Sequence, residues 1–192
     1  MTAEWLGWIF VVIDVAICLW DSFASGILWG HAKSGAEKVI AAAALIVGVV
    51  GMLYVVVLVA VLLGYLPEDF LIAENVILGI PLVCAGAVIT IDGWRQTIKY
   101  KKWWMILISL WNSFAMIWDV IVIVRSMSEF GGALKGIAKF GEDAPGSARI
   151  IILVAIAAAA AGILAVALFF AGKNYANKAS IKQSMRSMGA GV

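Results

Sequence analysis

Long runs of apolar residues, separated by short polar stretches, extend along almost the whole chain. Each of five runs reaches the roughly 20 residues that a helix needs to cross the hydrocarbon layer of a membrane. These runs cover residues 5–29, 39–66, 70–97, 103–125 and 150–172. The pattern predicts an all-α, polytopic transmembrane helical bundle of five spans. We expect a single transmembrane domain over residues 1–172, followed by a basic tail at 173–192.

The composition supports a membrane protein. Hydrophobic residues make up 64% of the chain and charged residues only 14%, whereas a soluble domain has about 25% charged residues. So few polar side chains cannot cover the surface, and membrane lipid is the expected partner. No lysine or arginine precedes the first apolar run, which argues against a cleaved signal peptide and favours a permanent first helix.

The distribution of positive residues predicts the orientation. The connections after the first and third runs and the tail after the fifth contain two, four and four lysines and arginines. The connection after the second run contains none, and the one after the fourth contains four. Positive residues concentrate on the cytoplasmic side of membranes. We therefore expect the N-terminus outside and the C-terminal tail in the cytoplasm, with the cell (plasma) membrane as the location.

Polar side chains inside two of the runs are the candidate chemistry. Asp14 and Asp21 lie in the first run, and Asn112 and Asp119 lie in the fourth. An ionised side chain at the centre of a membrane helix costs roughly 2.5–3.5 kcal/mol on insertion scales, so each one needs a reason. Within each pair the residues are seven apart, which returns almost to the same helix face. Each helix is therefore predicted to present a polar stripe.

The two stripes are predicted to face one another. In antiparallel helices, Asp21 and Asn112 would each lie ten residues, roughly 15 Å, from the cytoplasmic boundary. Asp14 and Asp119 would again match in depth. Adjacent helices would then pair Asp21 with Asn112 and Asp14 with Asp119, with Ser113 adding a hydrogen bond. Two facing carboxylates would share a proton or hold a cation, because like charges repel strongly at low dielectric.

A short sequence recurs around the two stripes. Residues 19–24 read LWDSFA, and residues 110–115 read LWNSFA. Similar sequences in oppositely directed helices are typical of an inverted-topology repeat, in which a site often lies at the membrane midplane. The similarity does not extend into the second and fifth runs, so a chance match is the alternative interpretation.

Three further features complete the predicted architecture. Asp92 and Arg95 have the i,i+3 spacing of a local ion pair near the cytoplasmic end of the third run. Pro81 predicts a kink in that run, because proline lacks an N–H and its ring clashes with the preceding turn. Residues 126–148 are predicted to form an outer loop. Within that loop, residues 130–140 would be either a short interfacial helix or a flexible glycine-rich stretch.

No catalytic, metal or cofactor motif accompanies the stripes. The sequence has no phosphate-binding loop, nucleophile elbow or zinc-protease motif, and its one histidine and two isolated cysteines do not indicate haem or zinc. We therefore expect no enzyme activity, no cofactor and no nucleic-acid partner. Two hypotheses remain: a small channel or secondary transporter that passes a cation or proton, or a non-catalytic structural or accessory subunit of a membrane assembly. Either would fit a homo-oligomer or a complex with other membrane subunits.

Overall fold

Six α-helices make up nearly all of the chain in a computed structural model. The structure describes the backbone of residues 2–189 and the side chains of residue 5 and residues 7–180. In chain order the helices are α1 (Thr2–His31), α2 (Gly35–Leu62), α3 (Asp69–Ile77), α4 (Gly79–Tyr100), α5 (Trp103–Asp143) and α6 (Ser147–Gly189). The prediction of an all-α fold is confirmed. The side chains in the last part of the predicted basic tail lie outside the described residues.

The lengths and compositions of the helices are those of a membrane protein. α1, α2, α5 and α6 are each long and apolar enough to cross a membrane. α3 and α4 meet this condition only together, and they are bent by 46° at the break between them. The chain therefore has four candidate spans, or five when the bent pair counts as one. The orientation of these spans stays a prediction.

The break between α3 and α4 lies at Leu78, three residues before Pro81. Proline has no N–H to donate to the carbonyl of Ile77, and its ring clashes with that carbonyl. On either side of the break the helical bonding continues, because Leu78 N donates to Glu74 O at 2.8 Å and Leu82 N to Leu78 O at 3.2 Å. The kink predicted from Pro81 is present, about one turn before the proline itself.

The predicted outer loop over residues 126–148 is wrong. α5 continues as one helix to Asp143, so that only three residues connect it to α6. Four glycines in this stretch lower its helix propensity but do not end the helix, and the first proline comes only at Pro145. α3 packs beside this part of α5, with the rings of Phe70 and Phe140 edge-on and 5.9 Å between centroids. This tertiary support outweighs the weak local propensity.

Two tight turns reverse the direction of the chain between consecutive helices. Between α1 and α2, Ser34 N donates to Glu37 Oε2 at 3.1 Å and Glu37 N donates to Ser34 Oγ at 3.3 Å, a capping box that starts α2. Between α4 and α5, Lys101 adopts a left-handed conformation with φ of 52° that ends α4. Because α2 leads away from the first turn and α3 and α4 lead back, both turns lie at one end of the bundle.

The helices form two groups. α1, α2 and α6 all contact one another, as do α3, α4 and α5. The packing of α2 against α4 is the main junction between the groups. Among the described residues α1 does not contact α5, so the predicted adjacency of the first and fourth spans is wrong: α2 and α4 connect them instead.

Glycines allow the first group to pack closely. Gly26 of α1 lies directly against the carbonyl oxygen of Phe169 in α6, and Gly172 of α6 lies against the carbonyl oxygen of Phe23. A Cβ atom at either glycine would collide with the backbone of the other helix. Such close approach of two backbones is the usual role of small residues between membrane helices.

Candidate functional site

Three carboxylates from three helices lie near enough to one tyrosine for their charges to act on it. The charges of Glu74 (α3), Asp14 (α1) and Asp119 (α5) all act on Tyr54 of α2, that of Glu74 most strongly. Asp14 and Asp119 are also near enough for their charges to interact with each other. We term Asp14, Tyr54, Glu74 and Asp119 the central cluster.

The helix positions explain how the central cluster forms. Asp14 precedes the end of α1 by 17 residues and Asp119 follows the start of α5 by 16, so both lie roughly 25 Å from the same end of the bundle. Tyr54 follows the start of α2 by 19 residues, which places it about one turn further. Asp14 and Asp119 therefore lie at matching depth, although among the described residues their helices do not touch.

Glu74 is the most enclosed carboxylate of the cluster. Its residue surface is only 8% exposed, and its Oε2 atom has no hydrogen-bond partner among the described side chains and backbone. Buried polar atoms in proteins nearly always have a partner, so an orphan of this kind needs an explanation. Glu74 does not stand out in the sequence, because it follows Glu68 and Asp69 closely and so resembles the charge of a polar connection.

Among the side chains that the structure describes, no basic group forms an ion pair with the central cluster. Within the described part of the chain the single ion pair joins Arg125 and Glu129, 4.0 Å apart on an exposed face of α5. An isolated carboxylate in a low-dielectric interior carries a large desolvation penalty, so such groups either keep a proton or meet a cation. The cluster can therefore exchange protons, or bind a positive ion, without first breaking an ion pair.

Asp21 continues the polar stripe of α1 away from the central cluster. It is half-buried, and Cys18, which lies between it and Asp14 in sequence, feels the charges of both aspartates. The neighbouring Ser22 is fully buried, and its Oγ donates to Cys18 O at 2.8 Å instead of to a carboxylate. Asp14 and Asp21 therefore lie towards one side of α1, and their role as a transport stripe stays a prediction.

Asn112 and Ser113 lie elsewhere, at the contact of α5 with α4. Trp94 Nε1 of α4 donates to Ser113 Oγ at 3.0 Å, and Asn112 lies beside Gly93 of the same helix. The predicted pairing of Asp21 with Asn112 is wrong, because the two residues belong to helices that do not pack together. Asn112 and Ser113 therefore contribute to the contact between α4 and α5.

The predicted ion pair between Asp92 and Arg95 is not formed. Gln96 Nε2 instead donates to Asp92 Oδ2 at 2.9 Å, while Arg95 is exposed. An i,i+4 partner competes well on a helix surface, and a long arginine side chain can extend towards the polar boundary of the membrane. Asp92 therefore has a local structural bond.

The arrangement of the acidic groups does not suit a metal. Among the described residues, no group of three or more His, Cys, Asp or Glu side chains is close enough to hold a metal ion. Two open cavities flank α5: one of about 390 Å³ lies beside Asp69 and Lys139, and an apolar one of about 190 Å³ lies beside Ile80 and Ile123. Neither includes a residue of the central cluster.

No protein-family model, curated protein or solved structure matches this chain.

Proposed function

We propose that this protein is a small, non-catalytic membrane channel or secondary transporter that passes protons through the central cluster. The observation that carries the proposal is that the charges of Asp14, Glu74 and Asp119, from three helices, all act on Tyr54, with no ion pair to any of them among the described residues. Ionisable groups inside a membrane are expensive and usually mark an ion or proton path. A proton is favoured over a metal cation because the carboxylates are too dispersed to form a coordination shell.

The positions of the acidic side chains suit a path across the membrane. Asp21 lies ten residues before the end of α1, roughly 15 Å from that end of the bundle, and Asp14 lies about 10 Å further along. Glu74 follows the start of α3 by only five residues, which places it towards the opposite end. A tyrosine hydroxyl can both donate and accept a proton, so Tyr54 can link these groups. In the predicted orientation Asp21 is on the cytoplasmic side.

Proton flux into liposomes tests this proposal. The purified protein is reconstituted with a pH-sensitive dye inside, and the wild type is compared with Asp14→Asn and Asp119→Asn. Removing either titratable group should lower the rate of acidification at least tenfold, because each step of a relay depends on the next. The matched control is Asp92→Asn, outside the central cluster, which should keep the wild-type rate.

Two results would contradict the proposal. One is a wild-type protein that carries no protons under any gradient although it is folded by circular dichroism. The other is a flux that is unchanged in both Asp14→Asn and Asp119→Asn. The same liposomes under a potassium or sodium gradient distinguish proton from cation passage, since a cation path would conduct without a change in internal pH.

A second candidate function is that of an accessory subunit in a larger membrane assembly. Its support is the first half of α5, which exposes a row of large aromatic side chains: Trp103, Trp104, Trp111, Phe114 and Trp118. Lipid can cover this surface, but so can a second copy of the chain or another membrane subunit. Native mass spectrometry of the protein from gently solubilised membranes distinguishes the two candidate functions. A stoichiometric partner, together with the absence of proton flux, would favour the accessory-subunit function.

A further inference from the structure

We propose that Glu74 is the proton-binding group that extends the path from the central cluster to the α3 end of the protein, with the Tyr54 hydroxyl as its link to the aspartates. This inference rests on the proposed function and specifies one half of its path. It assigns a role to a carboxylate that the stripes on α1 and α5 do not include.

The surroundings of Glu74 differ from those of the polar residue next to it. Asn75 Nδ2 donates to Ser126 Oγ of α5 at 3.3 Å, so this amide has a partner in the neighbouring helix. Glu74 is rotated about 100° from Asn75 on the helix, is buried, and has an oxygen without a partner among the described atoms. A residue that served only to join α3 to α5 would be expected to have a hydrogen-bond partner in α5, as the Asn75 amide nitrogen has.

The helix break gives Glu74 its position. Glu74 lies in the last turn of α3, and its own carbonyl accepts the N–H of Leu78, where the chain bends by 46°. α3 is therefore a separate short rod that contacts α2, α4 and α5 at once. In a straight helix through Pro81, residue 74 would continue the axis of α4. The bend instead changes its direction relative to α2, which carries Tyr54.

The charges near Tyr54 are consistent with a relay. Of the three carboxylates whose charges act on Tyr54 of α2, Glu74 acts most strongly, and Asp14 and Asp119 act on the same side chain. Glu74 therefore adds a carboxylate on α3 to those on α1 and α5. A proton that reaches Glu74 is then about five residues, or roughly 8 Å along the helix, from the start of α3.

The first test measures proton flux in liposomes for Glu74→Gln, with Glu68→Gln as the matched control on the same segment. Glu68 is exposed and should be replaced without effect. Glu74→Gln should lower the flux at least tenfold, and Glu74→Asp should restore part of it, because a carboxyl is again present. Tyr54→Phe, which removes only the hydroxyl, should also lower the flux.

The second test uses dicyclohexylcarbodiimide, an apolar reagent to which a protonated carboxyl adds, moving its proton to the reagent's nitrogen. Peptide mapping of the wild type should find the adduct on Glu74 and not on Glu68, with loss of flux in proportion to labelling. This measurement needs no variant, so it holds even if Glu74→Gln fails to fold. Full labelling of Glu74 with unchanged flux would overturn the inference.

The outcomes separate this inference from the proposed function. If Asp119→Asn abolishes the flux but Glu74→Gln leaves it at the wild-type rate, the inference about Glu74 is overturned and the central path stands. If the wild-type protein carries no protons at all, both are overturned. Loss of flux in Glu74→Gln and in Asp119→Asn, with Glu68→Gln unaffected, supports both.

Discussion

The two copies of the repeated sequence make the same local bond but have different neighbours. Ser22 Oγ donates to Cys18 O and Ser113 Oγ donates to Ser109 O, each at 2.8 Å and four residues back along the helix. Ser22 is fully buried and lies against Gly48 of α2. Ser113 is only half-buried and accepts a hydrogen bond from α4. A short repeated sequence thus determines the local geometry of its helix but not the helix it packs against.

The neighbouring helices also argue against an inverted repeat. α1 packs extensively on α2, the helix that follows it, whereas α5 packs mainly on α3 and α4, the helices that precede it, and touches α6 only briefly. Two units related by an inverted repeat would use equivalent neighbours. The difference also explains the single substitution within the repeat, since Asn112 stands at a polar contact with α4 and Asp21 belongs to the stripe that leads to Asp14.

The largest expected effect is a loss of stability when the contact of Gly26 with α6 is filled. This glycine lies just after the α1 copy of the repeated sequence. Gly26→Leu would drive a side chain into the carbonyl of Phe169, and overpacking of this kind costs about 3 kcal/mol or more when the backbone itself must move. The control is Gly131→Leu in α5, where nothing lies within 4 Å of the added Cβ. Unfolding by denaturing detergent measures both. Equal stability of the two variants would refute the close packing of α1 on α6.

A smaller effect is expected when the two copies are made identical. Asn112→Asp should destabilise the protein by about 2 kcal/mol, because it places a carboxylate at the contact with Gly93 without a basic partner. The opposite change, Asp21→Asn, should leave the stability within about 0.5 kcal/mol but slow proton flux. Detergent unfolding and liposome flux provide the two readouts. A stable Asn112→Asp variant would show that this contact is open to water.

The smallest expected effect is the difference in stability loss between replacing Ser113 and replacing Ser22. Ser113→Ala leaves Trp94 Nε1 without its acceptor and should lower stability by about 1 kcal/mol. Ser22→Ala removes only a bond to a carbonyl of its own helix, so we expect a loss of about 0.5 kcal/mol or less. Both are measured as free energies of unfolding in detergent. A reversed order would mean that the burial of Ser22 against Gly48 matters more than the interhelical bond.

Hydropathy predicted most of the fold because each apolar run is long enough to be assigned without knowledge of its neighbours. It could not predict that α5 extends to Asp143, since support for its glycine-containing end comes from Phe70 on another helix. Asp14 and Asp119 do lie at equal depth along their helices, because depth depends only on the counting of residues from the helix ends. Which helices are adjacent depends on close fit at residues such as Gly26, and hydropathy contains no information on such fit.

Tyr54 and Glu74 were missed for two different physical reasons. Tyr54 lies within the most apolar run, where an aromatic ring is indistinguishable from an ordinary packing residue. Glu74 is buried in the last turn of α3, whereas its place shortly after Glu68 and Asp69 in the sequence suggested the boundary of the membrane. In both cases the position is set by tertiary structure.

α5 has a mechanical consequence because it is a single rod of 41 residues, roughly 60 Å long, about twice the thickness of the hydrocarbon layer. Its far end lies beside the start of α3, where the rings of Phe70 and Phe140 pack edge-on. Asp119 and this far end therefore belong to one continuous helix. A force or a binding partner that tilts the end of α5 would move Asp119 with respect to Asp14, in a helix that α5 does not touch.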